Sequence, residues 1–298
     1  MTTRRRFLQT SAAALAASIA LPALARSGAA VEPSAITAAR DFAALERVSG
    51  GRLGVTLLDT ASGRRTGHRQ DERFPMCSTF KSMLAATVLG KADTGTLSLD
   101  SRIAVRAGDM LPHAPVTGRH VGKDLTIRDL CRATMVTSDN PAANLLLGAV
   151  GGPAAVTAFL RGHGDTVTRS DRTEPSMNEF APGDPRDTTS PAAMAASLQR
   201  FVLGDALSVA SRAQLADWLI DNETGDSTLR AGLGARWRVG DKTGSNGTDT
   251  RNDIAVLWPV QGGSPWVLAA YLQGASVGSA QRDAVLARVG ALADALIG

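Results

Sequence analysis

Strand-forming segments lie only toward the two ends of this chain, and the long stretch between them reads as helix. Arg52–Asp59 (RLGVTLLD) is a strand, Thr60 to Gly63 is a turn, and residues 64–69 run back as the second arm of a hairpin. Strands resume after Arg236, at 237–243, 252–259 and 266–273, separated by Gly, Asn and Ser turns. Helical patterns flank both groups, at 35–48 and 279–296. The middle carries six more, at 79–92, 127–134, 141–149, 153–161, 191–203 and 211–222, several opening on Pro, Ser, Thr or Asp.

Runs of strands set apart from runs of helices indicate an α+β fold rather than alternating βα units. The economical topology joins both ends into one five-stranded antiparallel sheet, with the two terminal helices packed on one face. Residues 26–70 and 220–298 then form a discontinuous α/β domain, and 71–219 an all-helical domain. A site belongs in the cleft between them. One polar, proline-bearing stretch at about 169–190 has no period, and a loop that long in a compact domain is usually functional.

With 44% hydrophobic residues among 298, disorder is not expected. Aromatics are only 4%, so the core is aliphatic and a base-stacking nucleic-acid surface is not expected. The net charge of +4 comes mainly from Arg4, Arg5 and Arg6; without those three, 29 basic residues face 28 acidic ones and no basic block remains. The four histidines, at 68, 113, 120 and 163, show no metal-ligand spacing, so a zinc hydrolase is disfavoured.

Residues 1–25 combine a basic head, a short apolar run and Ala23-Leu24-Ala25, the layout of a cleaved secretory signal. The apolar run is too short and alanine-rich for a membrane span, so no stable membrane association is expected. The arginine pair followed by Phe7-Leu8 resembles a twin-arginine export signal; an ordinary Sec signal is the alternative. Export permits a disulfide, but Cys77 and Cys131 read more simply as two buried thiols.

Three short motifs carry chemistry. Ser78-Thr79-Phe80-Lys81 opens a helix and sets a hydroxyl and an amine on one face, where the helix N-terminus favours an oxyanion. A lysine whose proton affinity is lowered by burial can take the serine proton. Taken alone, the motif is no more than an N-cap serine with a surface lysine. Ser138-Asp139-Asn140 sits in a turn before a helix and taken alone is a capping turn; functionally, Ser138 can shuttle a proton and Asn140 can bind an amide. Asp241-Lys242-Thr243-Gly244-Ser245 ends a strand and reads either as edge protection or as an anion site with a charge, two hydroxyls and an open backbone.

In that order, on helix, turn and strand, the three motifs match the signature of class A β-lactamases and penicillin-binding proteins. The loop separates the two. Glu174-Pro175-Ser176-Met177-Asn178 resembles the Glu-x-x-x-Asn motif of the class A omega loop, and Arg172 and Asp187 match its closing ion pair. The chain therefore resembles the class A serine β-lactamases over nearly its whole length.

The resemblance implies a β-lactamase/transpeptidase-like fold and hydrolysis of penicillins and cephalosporins through a serine acyl-enzyme. Ser78 would be the nucleophile, Lys81 and Glu174 the bases, and Ser138 the proton donor to the leaving nitrogen. Asn140 and Asn178 would contact substrate or water, and Lys242, Thr243, Ser245 and Arg251 would bind the substrate carboxylate. His113 stands where most members carry an aromatic gatekeeper. Neither disulfide known in parts of the family is expected, since Ala85 and Asn246 occupy the partner positions. No metal or organic cofactor is implied, and the expected form is a periplasmic or secreted monomer acting on a small β-lactam. A peptidoglycan D,D-peptidase and a β-lactam receptor that stays acylated are the competing readings, both disfavoured by Glu174 and Asn178.

Overall fold

The computed structural model describes residues 33–298, so the expected leader at 1–25 lies outside the described residues. Five antiparallel strands form one sheet in the spatial order Arg65–His68, Arg52–Asp59, Trp266–Gln273, Arg251–Pro259, Trp237–Ser245. The early strand pairs with the last one along its full length, from Arg52 opposite Gln273 to Asp59 opposite Trp266. The two ends of the sequence thus close one sheet, as expected.

The three central strands read as unbroken apolar runs because both faces are covered. Their alternate residues serve two cores. Leu53, Val55, Leu57, Ala255, Leu257, Leu268, Ala270 and Leu272 point toward the helices Pro33–Ser49 and Ser279–Ile297, where they meet Phe42, Leu45, Leu286 and Val289. Leu58, Ile254, Val256, Val267, Ala269 and Tyr271 point the other way, into the helical block. The period of two therefore assigns each residue to a core.

On that second face lies the helix Phe80–Asp93, buried on every side from Phe80 to Leu89. A helix enclosed all round is mostly small or apolar, and Lys81 is its one buried charge. At Gly90 the helix meets Phe159 closely, since a Cβ there would lie 2.5 Å from the Phe159 ring.

The middle of the chain is not purely helical. Phe74–Pro75 pairs with Thr188–Thr189, and Arg102–Ala104 with Asp124–Thr126. These ladders are two and three residues long, too short for an alternation to show in sequence. The first has a consequence for the site: with Met76 N donating to Asp187 O at 3.0 Å, it ties the approach to Ser78 to the end of the polar loop. The helix expected at 191–203 gives way after Leu198 to a π-helical turn, Gln199–Leu203, and a short helix at Leu229–Gly232 had no sequence signal. Among the described residues no single helix is long and apolar enough to cross a membrane. Cys77 and Cys131 are buried free thiols.

Candidate active site

Ser78 occupies a 3-10 turn, Cys77–Thr79, that runs straight into the helix Phe80–Asp93. The turn is forced. Cys77 has φ +45°, a region few side chains adopt and one that costs of order 1–3 kcal/mol. Surrounding bonds hold it there. Asn252 Nδ2 donates to Pro75 O at 2.9 Å and to Met76 O at 3.0 Å, and Thr79 Oγ1 donates to Met76 O at 2.8 Å. The edge strand Trp237–Ser245 passes close by: a Cβ on Gly244 would lie 2.7 Å from Met76 O and 3.2 Å from Ser78 N. Only glycine lets that strand and the Ser78 turn come together.

One helical turn on, Lys81 is fully buried. Its Nζ donates to Ser138 O at 2.7 Å and to Asn140 Oδ1 at 2.6 Å, lies 3.3 Å from Ser138 Oγ, and meets Glu174 Oε1 at 3.2 Å. Burial lowers its proton affinity, and the Glu174 carboxylate opposes that. Lys242 is buried as well, its Nζ donating to Ser138 Oγ at 3.2 Å and Thr243 O at 3.0 Å. Burial, and then repulsion from Lys81, bring its pKa down to about 7. The Ser138 hydroxyl thus sits between two lysine nitrogens with weakened hold on their protons.

The turn that presents Ser138 is strained and stitched down. Ser138 has φ +61° and His113 φ +65°. Asp139, fully buried, caps the helix Asn140–Val150 by accepting from Ala142 N at 2.9 Å, and its other oxygen accepts from Val116 N and Thr117 N at 2.9 Å. Asn140 N donates to His113 O at 3.0 Å and its Nδ2 to Pro112 O at 3.0 Å. His113 is exposed on the cleft rim, with Nε2 2.8 Å from Thr137 O; a carbonyl only accepts, so that nitrogen carries a proton.

Glu174 is held by its backbone. Its N donates to Asn144 Oδ1 at 2.9 Å and its O accepts from Asn144 Nδ2 at 2.8 Å, so one side chain on a neighbouring helix grips both polar groups of the peptide. Asn178 Nδ2 donates to Glu174 Oε2 at 2.6 Å. Arg172 Nε meets Asp187 Oδ2 at 2.6 Å, and Asp187 Oδ1 accepts from the backbone of Asp171 at 2.7 Å and of Arg172 at 3.0 Å. Apart from its contact with Lys81, Glu174 Oε1 has no hydrogen bond, and the buried Asn178 Oδ1 has none.

Across the cleft, Ser245 Oγ donates to Thr250 O at 3.0 Å and accepts from Gly247 N at 3.0 Å. Arg251 is oriented by Asp283, Nε to Oδ1 at 2.6 Å, and reaches Thr224 O with Nη2 at 3.4 Å. A cleft of about 420 Å³ is lined by Ser78, Glu174, Asn178, Ser245, Arg251 and His113 among others. Ser138, Asn140 and Thr243 line it too, while Lys81 and Lys242 lie buried behind their bond partners. All eleven residues singled out in the sequence therefore meet in or directly behind one cleft.

Four contributing residues carried no motif. Asn144 lies four residues after Asn140, the spacing that puts both on one helix face, so its signal was readable. Asn252, Thr224 and Asp283 act through contacts distant in sequence and gave none.

A serine and a lysine one helical turn apart, a second serine bridging to a second lysine, and an anion-binding strand edge define the penicillin-recognising serine hydrolases as a class. Comparison with known proteins narrows the class. Residues 37–296 match the model of the β-lactamase enzyme family. The chain is 69% identical to β-lactamase L2 of Stenotrophomonas maltophilia over 100% of both chains, and 49% identical to β-lactamase CTX-M-8 of Citrobacter amalonaticus over 77% of this chain and 79% of that one. Among solved structures, L2 complexed with relebactam superposes with TM-score 0.86 at 74% identity, over 89% of this chain and 98% of that one. An ancestral Gram-negative class A β-lactamase gives 0.83 at 60% identity, over 85% and 97%. The chain belongs to the class A β-lactamases, serine hydrolases that open the β-lactam amide and so confer antibiotic resistance.

Proposed function

We propose that Ser78 is the nucleophile that attacks the lactam carbonyl, with the oxyanion received by the backbone N–H groups of Ser78 and Ser245. The single observation that carries this reading is the buried chain from Glu174 through Lys81 to Ser138 and Lys242, which connects both candidate bases to the cleft behind Ser78. Lys81 or Glu174 takes the serine proton, and Ser138, placed between two lysines, delivers a proton to the leaving nitrogen. Glu174 Oε1, whose one contact is Lys81, and Asn178 Oδ1, buried without a hydrogen bond, then hold the water that Glu174 deprotonates to release the acyl group. Lys242, Thr243, Ser245 and Arg251 bind the substrate carboxylate, Asn140 its side-chain amide, and His113 borders the entrance.

Support for the two-domain division, at about residues 70 and 220, comes from the separate cores on the two faces of the sheet. The proposed form is a monomer working on a small diffusible β-lactam. The Arg5-Arg6-Phe7-Leu8 run and Ala23-Leu24-Ala25 support export to the periplasm by the twin-arginine route, with no lasting membrane anchor.

The test uses a chromogenic cephalosporin and intact-protein mass. Wild-type enzyme should turn it over many times, and Ser78→Ala should neither turn it over nor gain the mass of a penicillin. A stoichiometric burst without turnover would instead mark a receptor or a peptidase. An adduct on Ser78→Ala at the wild-type rate would move the nucleophile elsewhere.

A further inference from the structure

The hydroxyl protons at the anion-binding edge of the cleft have one favoured arrangement. Asn222 sets it. One atom of its side-chain amide faces Thr224 N at 3.2 Å and Thr224 Oγ1 at 2.8 Å. A backbone N–H only donates, so that atom is the oxygen Oδ1. The amide nitrogen then points to the buried Asp241 carboxylate, Nδ2 to Oδ2 at 2.6 Å, and Asp241 is fixed in turn by Arg230. The amide cannot turn round without setting two donors against each other.

Thr224 has a single hydroxyl proton, and Asn222 Oδ1 receives it. Thr243 Oγ1 lies 2.5 Å from Thr224 Oγ1, close enough that one of the two must donate. Thr224 has nothing left to give, so Thr243 donates. Thr243 lines the cleft beside Lys242, yet its own proton points away from the cleft, and only lone pairs face the incoming substrate.

We propose that Thr224 is a positioning residue of the carboxylate subsite, the middle link of a hydroxyl chain, Thr243 to Thr224 to Asn222, that must reverse before Thr243 can donate to a substrate carboxylate. In the reversed chain Thr243 donates to the carboxylate, Thr224 donates to Thr243, and the Thr224–Asn222 hydroxyl bond is given up. No proton leaves its own oxygen; each hydroxyl rotates. Asn222 Oδ1 keeps Thr224 N, so the cost is one neutral hydrogen bond. Thr224 also meets Arg251 through its carbonyl, which the rotation leaves in place.

This inference rests on the proposed reading of Lys242, Thr243 and Arg251 as the carboxylate subsite, and the test separates the two. Penicillin binding is measured by calorimetry in a Ser78→Ala background, where no acylation follows. Thr224→Val keeps the shape and removes the hydroxyl, which frees the Thr243 proton to face the cleft. Penicillin should then bind roughly fivefold more tightly, the worth of about one neutral hydrogen bond. Thr224→Ser, which keeps the hydroxyl, should bind as the parent does.

If Lys242→Ala weakens binding while Thr224→Val leaves it unchanged or weaker, the chain does not govern the subsite and the inference falls. If Lys242→Ala also has no effect, the subsite itself has been misplaced. Should Thr224→Val not fold, neutron diffraction on the otherwise native free enzyme decides: the Thr243 deuteron should lie on the Thr224 side, and a deuteron directed into the cleft would overturn the inference.

Discussion

Exchanging Glu174 for Gln separates the two halves of the proposed reaction, and the local bonds say what each half loses. Glu174 Oε2 accepts from Asn178, and Oε1 lies 3.2 Å from the Lys81 ammonium. Glutamine has one oxygen to offer in place of two. Kept toward Asn178, that oxygen leaves an amide NH₂ facing the Lys81 nitrogen, donor against donor. The negative charge that held the Lys81 proton is gone as well, so the proton affinity of Lys81, already lowered by burial, falls further. A neutral Lys81 can still take the Ser78 proton, so acylation continues. Deacylation loses its base. A general base is worth about 10²–10⁴ in rate, or about 3–5 kcal/mol of barrier. Turnover should fall by that factor while the acyl-enzyme accumulates. Variant and penicillin are mixed, quenched after seconds and weighed; the dominant species should be protein plus intact drug. Rapid hydrolysis with free enzyme predominating would refute the assignment of Glu174 and of its loop.

Three further outcomes follow from bonds already described. Lys242, with a pKa of about 7, loses its charge as pH rises through that value, so kcat/KM for a carboxylate-bearing penicillin should decline above it, approaching tenfold per pH unit; Lys242→Arg, which stays charged, should flatten that limb, and an unchanged limb would assign it to another group. Arg172→Ala leaves the Asp187 carboxylate buried with only its two backbone partners, which should cost about 3 kcal/mol and lower Tm by roughly 6–12 °C in a thermal melt; no loss of Tm would show the pair to be dispensable. Gly244→Ala puts a methyl 2.7 Å from Met76 O, against backbone that cannot yield cheaply, so acylation in a stopped-flow assay should slow at least about tenfold; a wild-type rate would mean that the turn has room to move.

The sheet was legible because its central strands are long, buried on both faces and ended by turn residues; Arg52–Asp59 and Trp266–Gln273 were bounded to the residue. The short ladders and the helix at Leu229–Gly232 were not, because such pieces are held by tertiary contact and carry no period of their own. Motif order and a family resemblance pointed to the cleft, but not to how it is braced. Arg251 is the clearest example: the sequence suggests an arginine near a carboxylate, whereas its direction depends on Asp283, in a helix that closes the chain. Asp139 shows the reverse, since the turn-capping role expected of it is real and coexists with membership of a functional motif.

The grip of Asn144 on the Glu174 peptide divides the polar loop by what heredity can change in it. At one end Asn144 holds Glu174, and at the other Asp187 holds Asp171 and Arg172, so every polar bond that aims the carboxylate is made before residue 179 or at residue 187. Between them, residues 179–183 are mostly exposed, and their backbone bonds are local, Glu179 N to Ser176 O at 3.1 Å and Asp184 N to Ala181 O at 3.0 Å. Exchanges and length changes in that span leave the clamps untouched. Descendants of this gene thus have a short tract that can vary in sequence and length while the hydrolytic apparatus is inherited intact.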